Sequence, residues 1–527
     1  MKVKIIRIKI VKRILLIFLG SILLIVSIGY KFGYFNELLN TYQEKKIVND
    51  LKNSDGFVDE ESTASVINGE GVDVETTASI DDEVGSKQQN NNQITVPESV
   101  VNDGSLVSIV QSSKQFYQDI TDDEIREMVR QAVTLAGGFK GFIKDHQVVV
   151  LKPNLVQMHV DSTGDLFTRE FNGITTDWRV TKAVVELVRE YNPNGKVYIM
   201  EGSAGDKTRD VMNYLNYTHD YIPGVDEFIA IEEDSGEWQE LDSPALIKYS
   251  LPNGLLHKEY YLNRKYYEAD ILISIPTLKT NSGAVVTGGI KNVSIGATPA
   301  NIYGLSQNSL SRTKMVSHRI VDGELDKWIH DYYLCRPVQF VVIDGLVGFQ
   351  NGPVPMGRKN ISSDKMNMRL VMAGRDAVAV DAVEALVTGW DPLSIAYLGY
   401  LNKSFMGNLD TARITVAGKN VDEVRKDFSN RFPKLGGLRI TDREGPEFSI
   451  NENTVNEDKV DIKLEADEET IKVEIYIDGR LHAAIPAPLH KDISIDITDL
   501  PKGKHLVSVY CFDRYLNRSF KTLEISR

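Results

Sequence analysis

Across residues 116–445, short apolar runs alternate with segments whose apolar residues recur at helical spacing, and this alternation restricts the fold more than any other feature. The run at 148–151 is followed by a helical pattern that begins at Val180, and then by a second run at 197–200. A strand followed by a helix and another strand is typical of a parallel sheet covered by helices. The sequence therefore predicts an α/β domain over residues 116–445, with a mostly parallel sheet and flanking helices.

The pattern changes to strict alternation of apolar and polar residues near the end of the chain. Apolar residues at 471–477 alternate with polar ones, and the dipeptide Asp478-Gly479 then favours a tight hairpin turn. Several short alternating strands at regular spacing predict an all-β sandwich over residues 458–527. Its segment at 502–519, KGKHLVSVYCFDRYLNRS, resembles bacterial immunoglobulin-like or fibronectin type III-like modules.

The N-terminus carries the pattern of a membrane anchor. Six lysines and arginines lie in residues 1–13, and an uninterrupted run of apolar and small residues follows from residue 14. We expect a cytoplasmic basic tail at 1–13 and a single transmembrane signal anchor at 14–35, with the remaining domains outside the cell membrane. A cleaved signal peptide is the alternative. Residues 36–115 are acidic and polar, which predicts a disordered tether.

Charge and cysteine content exclude several classes of partner and cofactor. The formal net charge is −14 at pH 7, which argues against nucleic acid as a partner. There are two cysteines, far apart, and no Cys-x-x-Cys motif. We therefore expect no iron–sulfur cluster and no cysteine-ligated zinc.

Polar residues directly follow the predicted strands of the α/β domain. In an open parallel sheet, ligands bind at the carboxyl ends of the strands. Glu201 and Asp344 are catalytic candidates because a carboxylate directly after a buried strand points toward that edge. Asp376 is the third candidate, and the alternative is that it only caps the helix that follows it. These three carboxylates would either hold a divalent cation or act as acid and base, and the sequence does not choose between the two.

The segment 271–299, ILISIPTLKTNSGAVVTGGIKNVSIGATP, indicates a buried strand that leads into a glycine-rich binding loop. Glycines let main-chain N–H groups approach a ligand closely, and lysines favour an anionic one. The alternative is a plain turn with solvated lysines. The ligand-binding candidates here and at the neighbouring strand ends are Lys152, Asn154, Ser203, Lys279, Thr280, Gly288, Gly289, Lys291 and Asn292.

Several blocks, in this order, resemble the family called domain of unknown function 362. They are 152–154, 201–205, 276–280, 287–292, 344–345 with 352–353, and 373–382. The resemblance covers about residues 116–418 and implies an α/β domain with a shared pocket, without supplying a reaction. This chain lacks the ferredoxin-like cysteine segment of many relatives, and it has Asn281 where relatives often have histidine.

Together these features favour an extracytoplasmic enzyme that acts on an anionic small molecule or a cell-envelope component, with a divalent cation as a candidate cofactor. A non-catalytic module that binds a ligand or an envelope polymer is the alternative. A structural protein with an unused pocket is the third hypothesis. The sequence names neither the substrate nor the metal.

Overall fold

A computed structural model describes residues 104–527, except for 159–167, 205, 238–239, 304–323, 355–360, 431–436, 457 and 490–491. The described residues belong to one compact unit. The basic tail, the predicted anchor at 14–35 and most of the predicted tether therefore lie outside the described residues. No helix in the described part of the chain has the length and apolar character needed to cross a membrane.

The α/β domain is built on one large sheet. Its main path runs in the order β13-β1-β12-β10-β7-β2-β3-β4. The strands of the domain are β1 (Ser105–Gln111), β2 (Val148–Pro153), β3 (Lys196–Glu201), β4 (Glu227–Ala230), β5 (Leu246–Ser250), β6 (Glu259–Asn263), β7 (Ile271–Ile275), β8 (Thr277–Asn281), β9 (Val285–Val286), β10 (Phe340–Phe349), β11 (Lys365–Met366), β12 (Leu370–Gly374) and β13 (Ile414–Gly418).

Helices cover both faces of this sheet. Val149 and Leu151 of β2 belong to one apolar core and Val150 to the other, because successive strand residues point to opposite faces. The helices in the described residues are α1 (Asp122–Leu135), α2 (Trp178–Tyr191), α3 (Thr208–Tyr214), α4 (Ile231–Asp234), α5 (Arg264–Glu268), α6 (Gly288–Gly296), α7 (Ala300–Tyr303), α8 (Glu324–Cys335), α9 (Ala377–Val387), α10 (Ala396–Lys403) and α11 (Val421–Val424), with 3₁₀ turns at Tyr117–Asp119, Ser362–Asp364, Pro392–Ser394 and Thr411–Arg413.

The prediction of a mostly parallel sheet is confirmed, with one reversed strand on the main path. β10, β7, β2, β3 and β4 are mutually parallel, whereas β12 is antiparallel to both β10 and β1. In the β10–β12 register Gly374 lies opposite Val341, near the start of β10. The residues that follow β12 therefore lie at the opposite edge of the sheet from those that follow the parallel strands.

The ordered chain begins earlier than residue 116, which corrects the last part of the predicted tether at 36–115. β1 lies inside the sheet between β12 and β13, and Val107 and Ile109 are fully buried. The Ser108 hydroxyl donates to the main-chain oxygen of Ala132 in α1. β1 is short and follows a polar segment, so its place in the sheet depends on neighbours that are distant in sequence.

The C-terminal strands form two antiparallel sheets, as predicted for a sandwich. They begin at Phe448, ten residues before the predicted boundary at 458, because β14 pairs with β15. The two sheets are β14-β15-β18 and β17-β16-β19-β20, and Val473, Ile475, Val507 and Val509 lie in their shared core. The strands are β14 (Phe448–Val455), β15 (Lys459–Ala466), β16 (Lys472–Ile477), β17 (Arg480–Pro486), β18 (Asp492–Asp496), β19 (Lys504–Phe512) and β20 (Arg518–Ser526).

Candidate functional site

A cluster of buried polar side chains lies where β2, β3 and β8 end beside α6. Lys152 and Glu201 form its centre, with Lys152 Nζ 2.8 Å from Glu201 Oε1. Both side chains are at most 2% exposed. Parallel neighbours bring these two residues together, since β2 pairs directly with β3. The predicted convergence of charged groups at this edge is therefore present for the pair.

Glu201 is held by the main chain as well as by Lys152. Its Oε2 accepts from the nitrogen of Leu155 at 2.7 Å, and its Oε1 accepts from the nitrogen of Gly202 at 2.8 Å. Both carboxylate oxygens of Glu201 are therefore occupied by main-chain N–H groups and by Lys152, and the side chain lies where it balances the charge of Lys152.

Two amide side chains connect this ion pair to Lys279. Asn292 Oδ1 accepts from Lys152 Nζ at 3.3 Å and from Asn154 Nδ2 at 3.0 Å. Asn154 Oδ1 in turn accepts from Lys279 Nζ at 2.6 Å. Lys279 Nζ also donates to the main-chain oxygen of Ile174. One hydrogen-bonded network thus joins Lys152, Asn154, Lys279 and Asn292. We use the name lysine cluster for these four residues together with Glu201 and Lys291.

Lys279 has an electrostatic environment that disfavours its charge. It is 1% exposed, and Lys291 on α6 is 8% exposed. Burial first, and then repulsion from Lys291, holds the pKa of Lys279 well below its usual range, although Glu201 and Glu384 act in the opposite direction. A neutral amine has two N–H donors and one lone pair. The two bonds to Asn154 and Ile174 use both donors, so the neutral form keeps a lone pair for a proton.

Asp344 lies in the middle of β10, beside the start of β8, and not directly after a strand as the sequence suggested. Its Oδ2 accepts from the main-chain nitrogen of Asp177 at 2.8 Å, and its Oδ1 accepts from that of Leu346 at 3.1 Å. Burial, followed by repulsion from the Asp177 carboxylate, raises the pKa of Asp344 to about 7. Arg179 pairs with Asp177 at 2.7 Å. A carboxyl group with such a pKa can exchange protons at neutral pH.

Asp376 does not meet the other two carboxylates, which corrects its place among the catalytic candidates. Because β12 is reversed, Asp376 lies at the opposite edge, where its Oδ1 accepts from Val378 N at 3.0 Å and Ala379 N at 3.1 Å and so caps α9. Its Oδ2 accepts from the Ser105 hydroxyl. Within the described ranges, no group of three or more His, Cys, Asp or Glu side chains is placed to hold a metal ion. Glu201, Asp344 and Asp376 therefore do not form one cation site.

The glycine-rich segment forms a buried helix and not a binding loop, which corrects the expectation for Gly288 and Gly289. Both residues open α6, and Asp381 of α9 accepts from Gly289 N at 2.6 Å and from Ile290 N at 3.2 Å. A Cβ on Gly288 would lie 2.2 Å from Asp381 Oδ2, and one on Gly289 would lie 2.6 Å from Val341 Cγ2. The glycines bring the helix close to Asp381 and the sheet, so the acceptor at these N–H groups is the carboxyl group of Asp381, whose pKa burial raises to about 7.

The other two predicted ligand residues hold loops. The Ser203 hydroxyl donates to the main-chain oxygen of Val156 at 2.6 Å. Thr280 Oγ1 donates to the oxygen of Ser429 and accepts from Gly352 N, both at 3.3 Å. These contacts shape the surroundings of the lysine cluster.

The sequence analysis did not identify Asp177, Arg179 or Glu384 as residues of the site. Asp177 stands directly before α2, where an N-cap aspartate is common, and that position was a usable signal. Glu384 is fully buried three residues after Asp381, and burial followed by repulsion from Asp381 raises its pKa well above the usual range. Two carboxylates in the otherwise apolar sequence of α9, AVAVDAVEALV, were the signal for this buried pair.

The α/β domain was compared with known families and proteins. Residues 149–385 match the family described as domain of unknown function (DUF362). This part of the α/β domain is therefore similar to the DUF362 family. The matched segment contains every residue of the lysine cluster, and it also contains Asp344.

Among curated proteins, the thylakoid-associated protein sll1697 of Synechocystis sp. is 24% identical over 268 residues, which are 49% of this chain and 68% of that protein. Among solved structures, the lactate racemase apoprotein of Thermoanaerobacterium thermosaccharolyticum is similar at 11% identity and a TM-score of 0.30, over 56% of this chain and 59% of that one. A fibronectin-III array of RIM-binding protein is similar at 19% identity and a TM-score of 0.14, over 16% and 32%. The chain spans less than two thirds of both solved structures, and at these TM-scores neither likeness supports an argument.

Proposed function

We propose that the α/β domain is an enzyme that binds an anionic small molecule at the lysine cluster and moves a proton there, with Lys279 as the base. The observation that carries this proposal is the environment of Lys279, whose two N–H bonds and suppressed charge leave a lone pair available. A buried lysine with a lowered pKa is a common general base.

The other members of the cluster have distinct parts in this proposal. Lys291 and Lys152 supply positive charge for the anion, and Glu201 limits that charge by pairing with Lys152. Asn154 and Asn292 fix the positions of the two amino groups through their amide oxygens. In this proposal Asp344, whose pKa is raised to about 7, exchanges the proton with the surroundings. The cluster is buried, so the anion would be held with little water around it, where each charge acts strongly.

Proton uptake on anion binding tests this proposal. An anion beside Lys279 favours its charged form, so binding raises its pKa and takes up to about one proton from the buffer. Titration calorimetry with acetate and with inorganic phosphate, at pH 7.5 in two buffers of different ionisation enthalpy, measures this uptake. We expect uptake in the wild type, and its loss in Lys279→Met. Lys403→Met, at an exposed position at the end of α10, is the matched control.

Two results would overturn the proposal. One is the absence of binding for both anions at millimolar concentration. The other is binding whose proton uptake persists in Lys279→Met. Anion binding without proton uptake in the wild type would support the alternative of a non-catalytic binding module, because the base would then already be charged.

We also propose, from the sequence, that residues 14–35 anchor the chain in the cell membrane with the α/β domain outside. Residues 14–30 have the length of a short spanning helix and basic residues on the cytoplasmic side. The full-length protein should stay with membranes through an alkaline carbonate wash, whereas a chain without residues 1–35 should be released. Release of both forms would contradict the anchor.

A further inference from the structure

β13 forms the edge of the large sheet on its main path. It pairs with β1 in parallel, and the facing wall on its other side is the sandwich. The sandwich reaches this edge at one end, where Lys472 Nζ donates to the main-chain oxygen of Ile414 at 2.7 Å. Beyond that contact a cleft of about 190 Å³ lies between residues 415–418 and strands β16, β17 and β19.

The main-chain groups of Val416 face this cleft. The main-chain nitrogen of Lys419 donates to the main-chain oxygen of Ile109 in β1. In a parallel pair of strands, the N–H and C=O groups of one residue face the same side, and those of the next residue face the opposite side. Thr415 and Ala417 therefore face β1 together with Lys419. Ile414, Val416 and Gly418 face away from it, in agreement with the bond between Ile414 and Lys472.

The opposite wall of the cleft is aromatic. Tyr476, Tyr510 and Phe512 line it, and they come from the outer face of the sheet β17-β16-β19-β20. Tyr510 also stacks on Phe520, whose side chain is 59% exposed at the end of this aromatic row. Such a wall offers apolar contact to a side chain that enters between it and the sheet edge.

We propose that this cleft binds an extended peptide segment by strand addition to β13. The outward N–H and C=O groups of Val416 pair with the main chain of the peptide, and an apolar side chain of the peptide packs against Tyr476. An exposed sheet edge takes up a strand in this way in many peptide-binding domains, with affinity from main-chain bonds and specificity from side-chain pockets.

The geometry favours a peptide over a sugar. A sugar ring would stack on an open aromatic face, but the guanidinium of Arg518 already lies over the Tyr510 ring, 5.3 Å from its centroid. Arg518 is itself held by Asp422 at 3.2 Å and by Glu423 at 3.5 Å. The groups that line the cleft on the β13 side are those of a main chain, which match another main chain.

Selection from a displayed library of random heptapeptides, with the full-length protein as target, tests this proposal. A selected peptide, labelled with a fluorophore, is then titrated by polarisation. Ser508→Trp fills the cleft, and Ser494→Trp, at an exposed position of β18 in the other sheet of the sandwich, is the matched control outside it. We expect Ser508→Trp to weaken binding by about tenfold or more and Ser494→Trp to leave it unchanged. The thermal midpoints of both variants show whether they fold.

Hydrogen exchange gives a second readout that does not depend on a variant. The peptide should slow exchange of the Val416 amide, while the amides of Thr415 and Ala417 change little because they already bond to β1. Failure to select any peptide, equal binding by Ser508→Trp, or unchanged exchange at Val416 would each overturn the proposal. Protection of Val416 by a peptidoglycan disaccharide in place of a peptide would also overturn it, and would assign the cleft to a glycan.

Discussion

The carboxylate of Asp381 caps the helix that starts at Gly288, with its Oδ1 2.6 Å from the main-chain nitrogen of Gly289. The two residues are 92 positions apart, on α9 and α6. The bond fixes the helix that carries Lys291 and Asn292, and so it positions two members of the lysine cluster. The helix start is thereby closed to an external anion.

Replacement of Asp381 by alanine should destabilise the protein. The change leaves the buried N–H groups of Gly289 and Ile290 without their acceptor, at a cost of about 1–3 kcal/mol. The free energy of unfolding from urea titration measures the loss. Asp119→Ala, at an exposed position in a 3₁₀ turn, is the control and should change this free energy little. Equal losses in the two variants would contradict the capping role.

Gly296→Ala should damage the lysine cluster without any change of charge. A Cβ at Gly296 would lie 2.5 Å from Lys152 Nζ and 2.9 Å from Glu201 Oε1, so the buried ion pair must move. We expect a loss of about 1–3 kcal/mol and weaker anion binding in calorimetry. Gly399→Ala in α10 is the control, because nothing lies within 4 Å of its Cβ. That variant should gain up to about 1 kcal/mol, and a loss as large as that of Gly296→Ala would refute the steric account.

Glu201→Gln should cost about 3–5 kcal/mol, because it leaves the charge of Lys152 buried without its counter-charge. Lys152→Met in the same chain removes that charge, so the double variant should recover part of the loss. Chemical unfolding of the four members of this cycle gives the coupling energy. The exposed pair Lys504–Glu524 is the comparison, and Glu524→Gln should cost less than about 1 kcal/mol. A double variant no more stable than Glu201→Gln alone would contradict the pairing.

The free energy of unfolding of Asp344→Asn should increase relative to that of the wild type as the pH rises. The folded-state pKa of Asp344 is raised to about 7 by burial and by Asp177, whereas an unfolded aspartate titrates near 4. The folded state therefore binds the proton more tightly, and wild-type stability falls between about pH 4 and pH 7 and levels off above that. Asparagine cannot ionise and escapes this loss. Urea titrations at pH 5 and pH 8 measure the difference, and a difference between the variants that is independent of pH would show that Asp344 does not titrate in this range.

Local chemistry predicted many elements because neighbouring residues determine them. The Thr-x-x-Glu pattern of Thr121 and Glu124, which is typical of a capping box, forms that capping box at the start of α1. The hairpin at Asp478-Gly479 joins β16 and β17, as its turn residues predicted. The apolar run at Ile271–Ile275 is a fully buried strand. Each of these depends on residues within a few positions in sequence.

The pairing of distant segments was not predictable in the same way. The reversal of β12 depends on its hydrogen bonds to β10 and β1, and it moves Asp376 to the far edge of the sheet. The short run SLVSIVQ becomes a central strand only because β12 and β13 flank it. The glycines of α6 indicated a loop, since their partner Asp381 comes from a different part of the chain.

By itself, the sequence determined that the chain has an α/β domain and a β-sandwich, and it showed that Lys152, Glu201, Lys279 and Asp344 lie close after short apolar runs. Hydrophobic period and capping residues are local properties, and they act before the chain is folded. Only the tertiary structure decided which of these groups meet and which carry a charge. Burial and the distances between charges set a pKa, and both exist only when strands distant in sequence lie side by side. For that reason Lys279 became the leading candidate for a base, and Asp376 became a helix cap.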